Sequence, residues 1–165
     1  MQKIIIIDGY NVIHKIPELE AELDKSLESA RKALAMEISG WQRRYSNAKV
    51  YIVFDGKNED GLSHSHTKIC GITCIFTRTE ESADEWIIHA VRNAKDASCV
   101  TVISDDNQVR NNCRAHMAEV HHTSFLRKKN KKSRGPVRPA EKFDSKTDRE
   151  ITDYYEKHLR DKGII

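Results

Sequence analysis

Short apolar runs that end in aspartate set the rhythm of this chain. Ile4–Ile7 in "KIIIIDGYN" stops at Asp8, Val50–Phe54 in "VYIVFDG" stops at Asp55, and Val100–Ser104 in "CVTVISDD" stops at Asp105. The runs are β-branched and barely alternate with polar residues, which predicts strands covered on both faces. Ile69–Thr77 and Ala118–His121 are predicted as two further strands, five in all.

Helical spacing fills the gaps. From near Pro17, the residues Leu19, Leu23, Leu27, Ala30, Leu34, Ile38, Trp41 and Tyr45 recur at three- and four-residue steps, with a break expected at Asp24–Ser26. Ser82 followed by Glu85 is a capping box, and Ala83, Trp86, Ile87, Ala90, Val91 and Ala94 form the stripe behind it. A shorter helix is expected from Asn107 to about His116. Strands alternating with helices give an α/β class with a mainly parallel, doubly wound sheet.

The pattern changes after Phe125. Residues 127–138, "RKKNKKSRGPVR", carry seven Lys and Arg and no acid, so a net charge of +3 leaves about −4 on the remainder. Residues 127–143 are expected as a basic loop and 144–163 as a C-terminal helix ended by Gly163. The opening apolar stretch is too short for a secretory signal, and no run approaches the roughly 20 residues of a membrane span. A cytoplasmic protein with reduced thiols is expected. Cys70, Cys74, Cys99 and Cys113 lack zinc-site spacing, and His64 and His66 are assigned to a polar loop.

The chemistry lies where the strands end. Strands of a parallel sheet share one carboxyl-terminal edge, where ligands bind at the point of strand-order reversal. Asp8, Asp55 and Asp105 each follow a strand onto that edge. Asp84 is brought there by the first turn of the helix it begins. Like charges so placed raise one another's pKa values unless a cation intervenes, and Mg²⁺ or Mn²⁺ suits carboxylate oxygens. Such a site fits phosphodiester hydrolysis by a metal-activated water. Each acid also has a plainer reading: Asp-Gly is a common turn, and Ser82-Ala83-Asp84-Glu85 a charged helix start. The first strand is followed by no Gly-rich dinucleotide turn and no P-loop motif is found, so no nucleotide cofactor is expected; no G-x-S-x-G nucleophile elbow is found either.

The blocks "IIIIDGYNVIH", "VYIVFDG", "TRTEESADEWI", "TVISDD" and "HTSFLRK", in this order, resemble the NYN-domain family of the YacP type, PIN-like predicted endoribonucleases of bacteria. The resemblance runs from about Lys3 to Leu126, so residues 1–126 are expected as the nuclease domain. It implies a PIN-like, three-layer α/β/α fold and metal-dependent cleavage of single-stranded RNA, with a ribosome or ribonucleoprotein particle as a further partner. By motif, Asp8 and Asp84 lead the catalytic set, followed by Asp105, Asn11 and Asp55. Asp106 departs from the family pattern, where a non-acidic residue is expected; it reads as a further metal ligand or as the cap of the Asn107 helix. Asn11 would orient Asp8 or a phosphate, or merely form an Asx turn. Tyr10 is read as packing before base stacking. Lys128, Lys129, Lys131, Lys132 and Arg134, with Arg110 and Arg114, are the candidate RNA-phosphate contacts. Two other readings stand beside this one: a catalytically inactive RNA- or ribosome-binding module, and a protein-interaction domain.

Overall fold

The computed structural model describes residues 2–45, 47–56, 65–78 and 80–127. Strand β1 (Lys3–Asp8) leads directly into helix α1 (Gly9–Lys15), then α2 (Pro17–Glu20), a 3-10 turn over Ala21–Asp24, and α3 (Leu27–Gln42). Next come β2 (Ala48–Phe54), β3 (Ser65–Ile69), β4 (Ile72–Phe76) and α4 (Ala83–Arg92). The described part closes with β5 (Val100–Ile103), α5 (Asn107–Ala115), β6 (Glu119–His121) and α6 (Ser124–Arg127). The predicted break falls where Ser26 accepts a capping bond from the Ser29 N–H and starts α3 afresh. The stretch from Gly9 is helical, which the pattern beginning at Pro17 had missed.

Among the described residues the sheet has six strands in the order β3-β4-β2-β1-β5-β6, all parallel except β3. The fold is a three-layer α/β/α sandwich with a mixed, mostly parallel sheet. The single strand expected over Ile69–Thr77 is corrected to a hairpin. Cys70 (φ 51°) and Gly71 (φ 81°) both adopt left-handed backbone, the geometry of a two-residue reversal, so the chain turns back on itself there. His66 belongs to β3, not to a loop; His64 lies outside the described residues. Strand β3 is an exposed edge, so it carries no apolar run to announce it.

The uninterrupted isoleucines of β1 are explained by the layers. Ile5 and Ile7 face a core built with α1, α3 and Leu126, while Ile6 faces α4 and α5 through Val53, Ile87, Val102 and Val109. A side chain buried on each face at every step leaves no polar position until the strand stops. One compact unit spans Met1–Lys128. The expected basic loop (apart from Arg127, which ends α6) and the C-terminal helix lie outside the described residues. Among the described residues no helix is long and apolar enough to cross a membrane.

Candidate functional site

The chain leaves β1 toward β2 and β4 but reaches β6 from β5, so the strand order reverses between β1 and β5. The crevice beyond their carboxyl ends is therefore the place to expect a ligand. Asp8 closes β1 on its rim. Gly9 must follow without a side chain, because a Cβ there would stand 2.4 Å from the Phe54 ring and 2.9 Å from the Val53 carbonyl. The chain can therefore pass from strand into helix under Phe54, and Asp8 becomes the cap of α1 by accepting from the Asn11 N–H at 3.4 Å.

Two more helices begin at the same crevice. Ser82 and Glu85 form the predicted capping box of α4, with Ser82 Oγ accepting from the Glu85 N–H at 3.2 Å and Glu85 Oε2 from the Ser82 N–H at 3.0 Å. This fixes the first turn that carries Asp84. Asp106 caps α5, accepting from the Val109 N–H at 2.9 Å. The positive ends of α4 and α5 thus face the acids and offset part of their repulsion.

Asp8 and Asp84 lie close enough for each to perturb the other's carboxyl. Burial, then the Asp84 charge, pushes the Asp8 carboxyl up to about 7, while the bonds from Ser104 and Asn11 pull the other way and Asp106 adds to the rise. Asp84 is raised by burial first, then by Asp106 and Asp55, with its bond to Asp8 opposing them. The Asp8 carboxyl thus holds its proton to about 7, and Asp84 is pushed in the same direction, with Asp106 and Asp55 as the flanking charges. Among the described residues no three His, Cys, Asp or Glu side chains converge as a ready-made metal cage. The arrangement is Asp8 and Asp84 as a close pair, with Asp106 and Asp55 as further carboxylates at electrostatic range. Its donors are all carboxylate oxygens, a set that fits Mg²⁺ or Mn²⁺ and not a soft metal.

Asp105, expected beside Asp8, has other engagements. Its carboxylate accepts from Thr123 Oγ1 at 2.5 Å, the Thr123 N–H at 3.1 Å and His122 Nδ1 at 2.7 Å. Burial works to raise its pKa, yet these bonds outweigh it and hold the carboxyl below the usual range. The charge of Asp106, the acid that departs from the family pattern, helps raise both Asp84 and Asp8. Asn11 reaches across the crevice, its Oδ1 accepting from the Asp105 N–H at 2.8 Å. It thereby ties the start of α1 to the turn after β5.

Ser104 was missed by the sequence reading. It is fully buried, donates from Oγ to Asp8 Oδ2 at 3.1 Å, and accepts from the Asp106 N–H at 3.1 Å. One hydroxyl thus orients one acid and sets the backbone of another. The only hint was a small polar residue where an apolar strand meets two acids. Half-buried Asp55 follows β2, and the next N–H, from Gly56, donates to Thr77 Oγ1 at 3.1 Å. Tyr10 packs edge-on against Phe54, and its hydroxyl accepts from Arg31, consistent with the packing reading. On α5, Arg114 is exposed, whereas Arg110 is half-buried and donates from Nη1 to Asn107 Oδ1 at 3.4 Å. Lys128, Lys129, Lys131, Lys132 and Arg134 lie outside the described residues. The four cysteines are free thiols, and burial pushes Cys74 and Cys113 up to about 11, far from a nucleophilic thiolate.

Comparison with known proteins bears on this geometry. A family model for the YacP-like NYN domain matches residues 5–163. An uncharacterized protein YacP of Bacillus subtilis (strain 168) is 36% identical over 84 residues, which cover 51% of this chain and 48% of that one, so the match spans about half the relative's length. A crystal structure of Rae1 (YacP) from Bacillus subtilis, a tryptophan-to-leucine mutant, superposes with a TM-score of 0.61. It is 26% identical, covering 75% of this chain and 72% of the other. A second structure of Rae1 (YacP) from the same organism gives a TM-score of 0.59 at 24% identity, over 98% and 84% of the two chains, and speaks to the fold.

Proposed function

The chain belongs to the YacP-like NYN domain family, whose nuclease character it shares in general terms, and from that premise we propose that it is a metal-dependent endoribonuclease cutting single-stranded RNA. The observation that carries the proposal is buried Asp8 beside half-buried Asp84 at the strand-order switch, with the charges of Asp106 and Asp55 bearing on them. So much negative charge in one crevice is costly to the fold without a counter-charge.

A divalent ion, Mg²⁺ or Mn²⁺, would be held by Asp8 and Asp84, with Asp106 and Asp55 bonding to it or to its waters. When bound, it supplies a lowered pKa for the attacking water and offsets charge building on the phosphate. The protein's own groups do the rest. Ser104 aims the Asp8 carboxyl, and the Asp8 proton must leave before both acids can act as anions. Asn11 holds the turn after β5 at a fixed distance from α1. Asp105 enters as a positioning residue that binds Thr123 and His122 and so anchors the chain after β6. Arg110 and Arg114, with Lys128, Lys129, Lys131, Lys132 and Arg134, would grip RNA phosphates that the acids repel. The RNA would be messenger or another cellular RNA, met free or on a ribosome or ribonucleoprotein particle in the cytoplasm.

A second reading is favoured by one observation: among the described residues, no three acids converge as a metal cage. On that reading the fold binds RNA or a ribosome without cutting.

One experiment separates the two. Labelled single-stranded RNA is incubated with the full chain in Mn²⁺, Mg²⁺ or EDTA, beside Asp8→Asn and Asp84→Asn. The nuclease reading expects cutting by the parent alone, and only with metal, while both variants bind RNA as well or better because negative charge is gone. Binding without cutting by the parent would install the second reading. Equal cutting by parent and variants would sink the proposed site.

A further inference from the structure

Arg31, in α3, holds its guanidinium among three aromatic rings, 4.9 Å from the centre of Phe76, 5.5 Å from Tyr10 and 5.6 Å from Phe54. Its Nε donates to the Tyr10 hydroxyl at 2.9 Å, and Nη2 donates to the same oxygen. A guanidinium cannot shed its proton, so this half-buried site carries a full positive charge. Among the described residues no carboxylate pairs with it. The phenol is neutral, and the rings offer only their quadrupoles. Two of the five N–H groups are engaged by Tyr10, which leaves three to spare among the described residues.

The place matters as much as the charge. Phe54 ends β2 beside Asp55, Phe76 ends β4, and Tyr10 stands two residues beyond Asp8 in α1. All three therefore mark the carboxyl edge of the sheet that also carries the acids. An RNA strand lying across that edge would bring one phosphate to the acids and leave its neighbours exposed to repulsion. A planar fork of donors suits phosphate oxygens there, and the aromatic frame fixes its plane beforehand.

We propose that Arg31 is a phosphate-binding residue, gripping a backbone phosphate of single-stranded RNA that flanks the Asp8–Asp84 crevice, with Tyr10 as the support that orients the guanidinium. This rests on the RNA reading of that crevice. The plainer alternative makes Arg31 a staple between α3 and α1, and the two differ in what they expect of salt. Every neutralised phosphate adds to the slope of log affinity against log salt.

The test is binding of a fluorescent single-stranded oligoribonucleotide to the full chain over a series of KCl concentrations, with EDTA present to stop cutting. Arg31→Met keeps the bulk and loses the charge; it is expected to weaken binding about tenfold and to flatten the slope by about one. Arg31→Lys should recover most of that slope. Tyr10→Phe should keep the slope, since the charge remains, but weaken binding roughly threefold, since the guanidinium loses the hydroxyl that orients it. An Arg31→Met protein with an unaltered slope and a parent-like melting temperature overturns the proposal and leaves the crevice reading standing. Absence of RNA binding by the parent overturns both. Should Arg31→Met fail to fold, the parent decides: its Arg31 ¹⁵Nε resonance should move and saturate as RNA is added, and a resonance that stays put overturns the assignment.

Discussion

Asp8 and Asp105 stand where neighbouring parallel strands end, yet the fold treats them oppositely. Asp8 is 5% exposed, feels the charge of Asp84, and is pushed up to about 7. Asp105 receives three hydrogen bonds from Thr123 and His122 and is held below the ordinary range despite partial burial. One carboxyl is frustrated and the other satisfied. A satisfied carboxylate stabilises the structure and has little reason to seek a cation; a frustrated pair costs stability and gains by binding one. On the proposed reading, that difference sets Asp8, Asp84 and Asp106 nearest the chemistry and gives Asp105, expected among the metal ligands, a positioning role.

The largest expected effect breaks the comparison on the catalytic side. Asp8→Asn or Asp84→Asn should reduce metal-dependent RNA cutting by more than the roughly 10–100-fold that changes to outer partners of a metal cost, read as initial rates on labelled RNA. Asp105→Asn should stay within that smaller range. If Asp105→Asn is as crippled as Asp8→Asn while folded, the division of labour is wrong.

Stability against pH sharpens the same contrast. The folded Asp8 carboxyl keeps its proton up to about 7, whereas the unfolded one releases it near 3.8. Its contribution is therefore present below about 3.8 and lost as pH rises through about 7. The loss has a ceiling of about 4 kcal/mol. In EDTA, the melting temperature of the parent relative to Asp8→Asn should fall between about pH 4 and pH 7, leaving the variant the more stable at higher pH. Adding Mn²⁺ should stabilise the parent more as pH rises, because the ion competes with the proton. A pH-independent difference between the two proteins would show that Asp8 is not strained.

Asp105 should behave with the opposite sign. Its lowered pKa means that its contribution is present above the unfolded carboxylate range and is lost as pH falls through its own folded value. At neutral pH, Asp105→Asn should cost about 1.5–3 kcal/mol in denaturant unfolding, the usual scale for hydrogen bonds to a charged group. The smallest effect is assigned to Ser104→Ala. It removes one bond to Asp8 and one to the Asp106 N–H, and should cost about 1 kcal/mol. Without the Ser104 bond the Asp8 carboxyl should titrate higher, moving the onset of cutting toward alkaline pH. Unchanged pH dependence would separate Ser104 from the acid pair.

Much of this architecture is legible in one dimension because it depends on local pattern. Ile4–Ile7 can be uninterrupted only in a strand with both faces covered, and Ser82 with Glu85 declares a helix start wherever it packs. Strand β3 was invisible because an exposed edge has no apolar run, and Gly71 was read as part of a strand when it helps reverse the chain. Helix α1 went unseen because it starts on the very residue that ends β1. Ser104 and Arg31 carry no pattern at all; their meaning lies in partners far along the chain.

The sequence by itself determined that acids would collect at one sheet edge, since each follows a strand or opens a helix and parallel strands must end together. Only the tertiary structure decided which acid is satisfied by hydrogen bonds and which is left strained. Asp105 and Asp106 are adjacent, and their backbone is set by Asn11 from 94 residues away and by Ser104, while Thr123 and His122 capture the first and α5 holds the second toward Asp84. Side-chain direction at a turn is fixed by the hydrogen-bond partners that arrive there, and those partners exist only once the chain has folded.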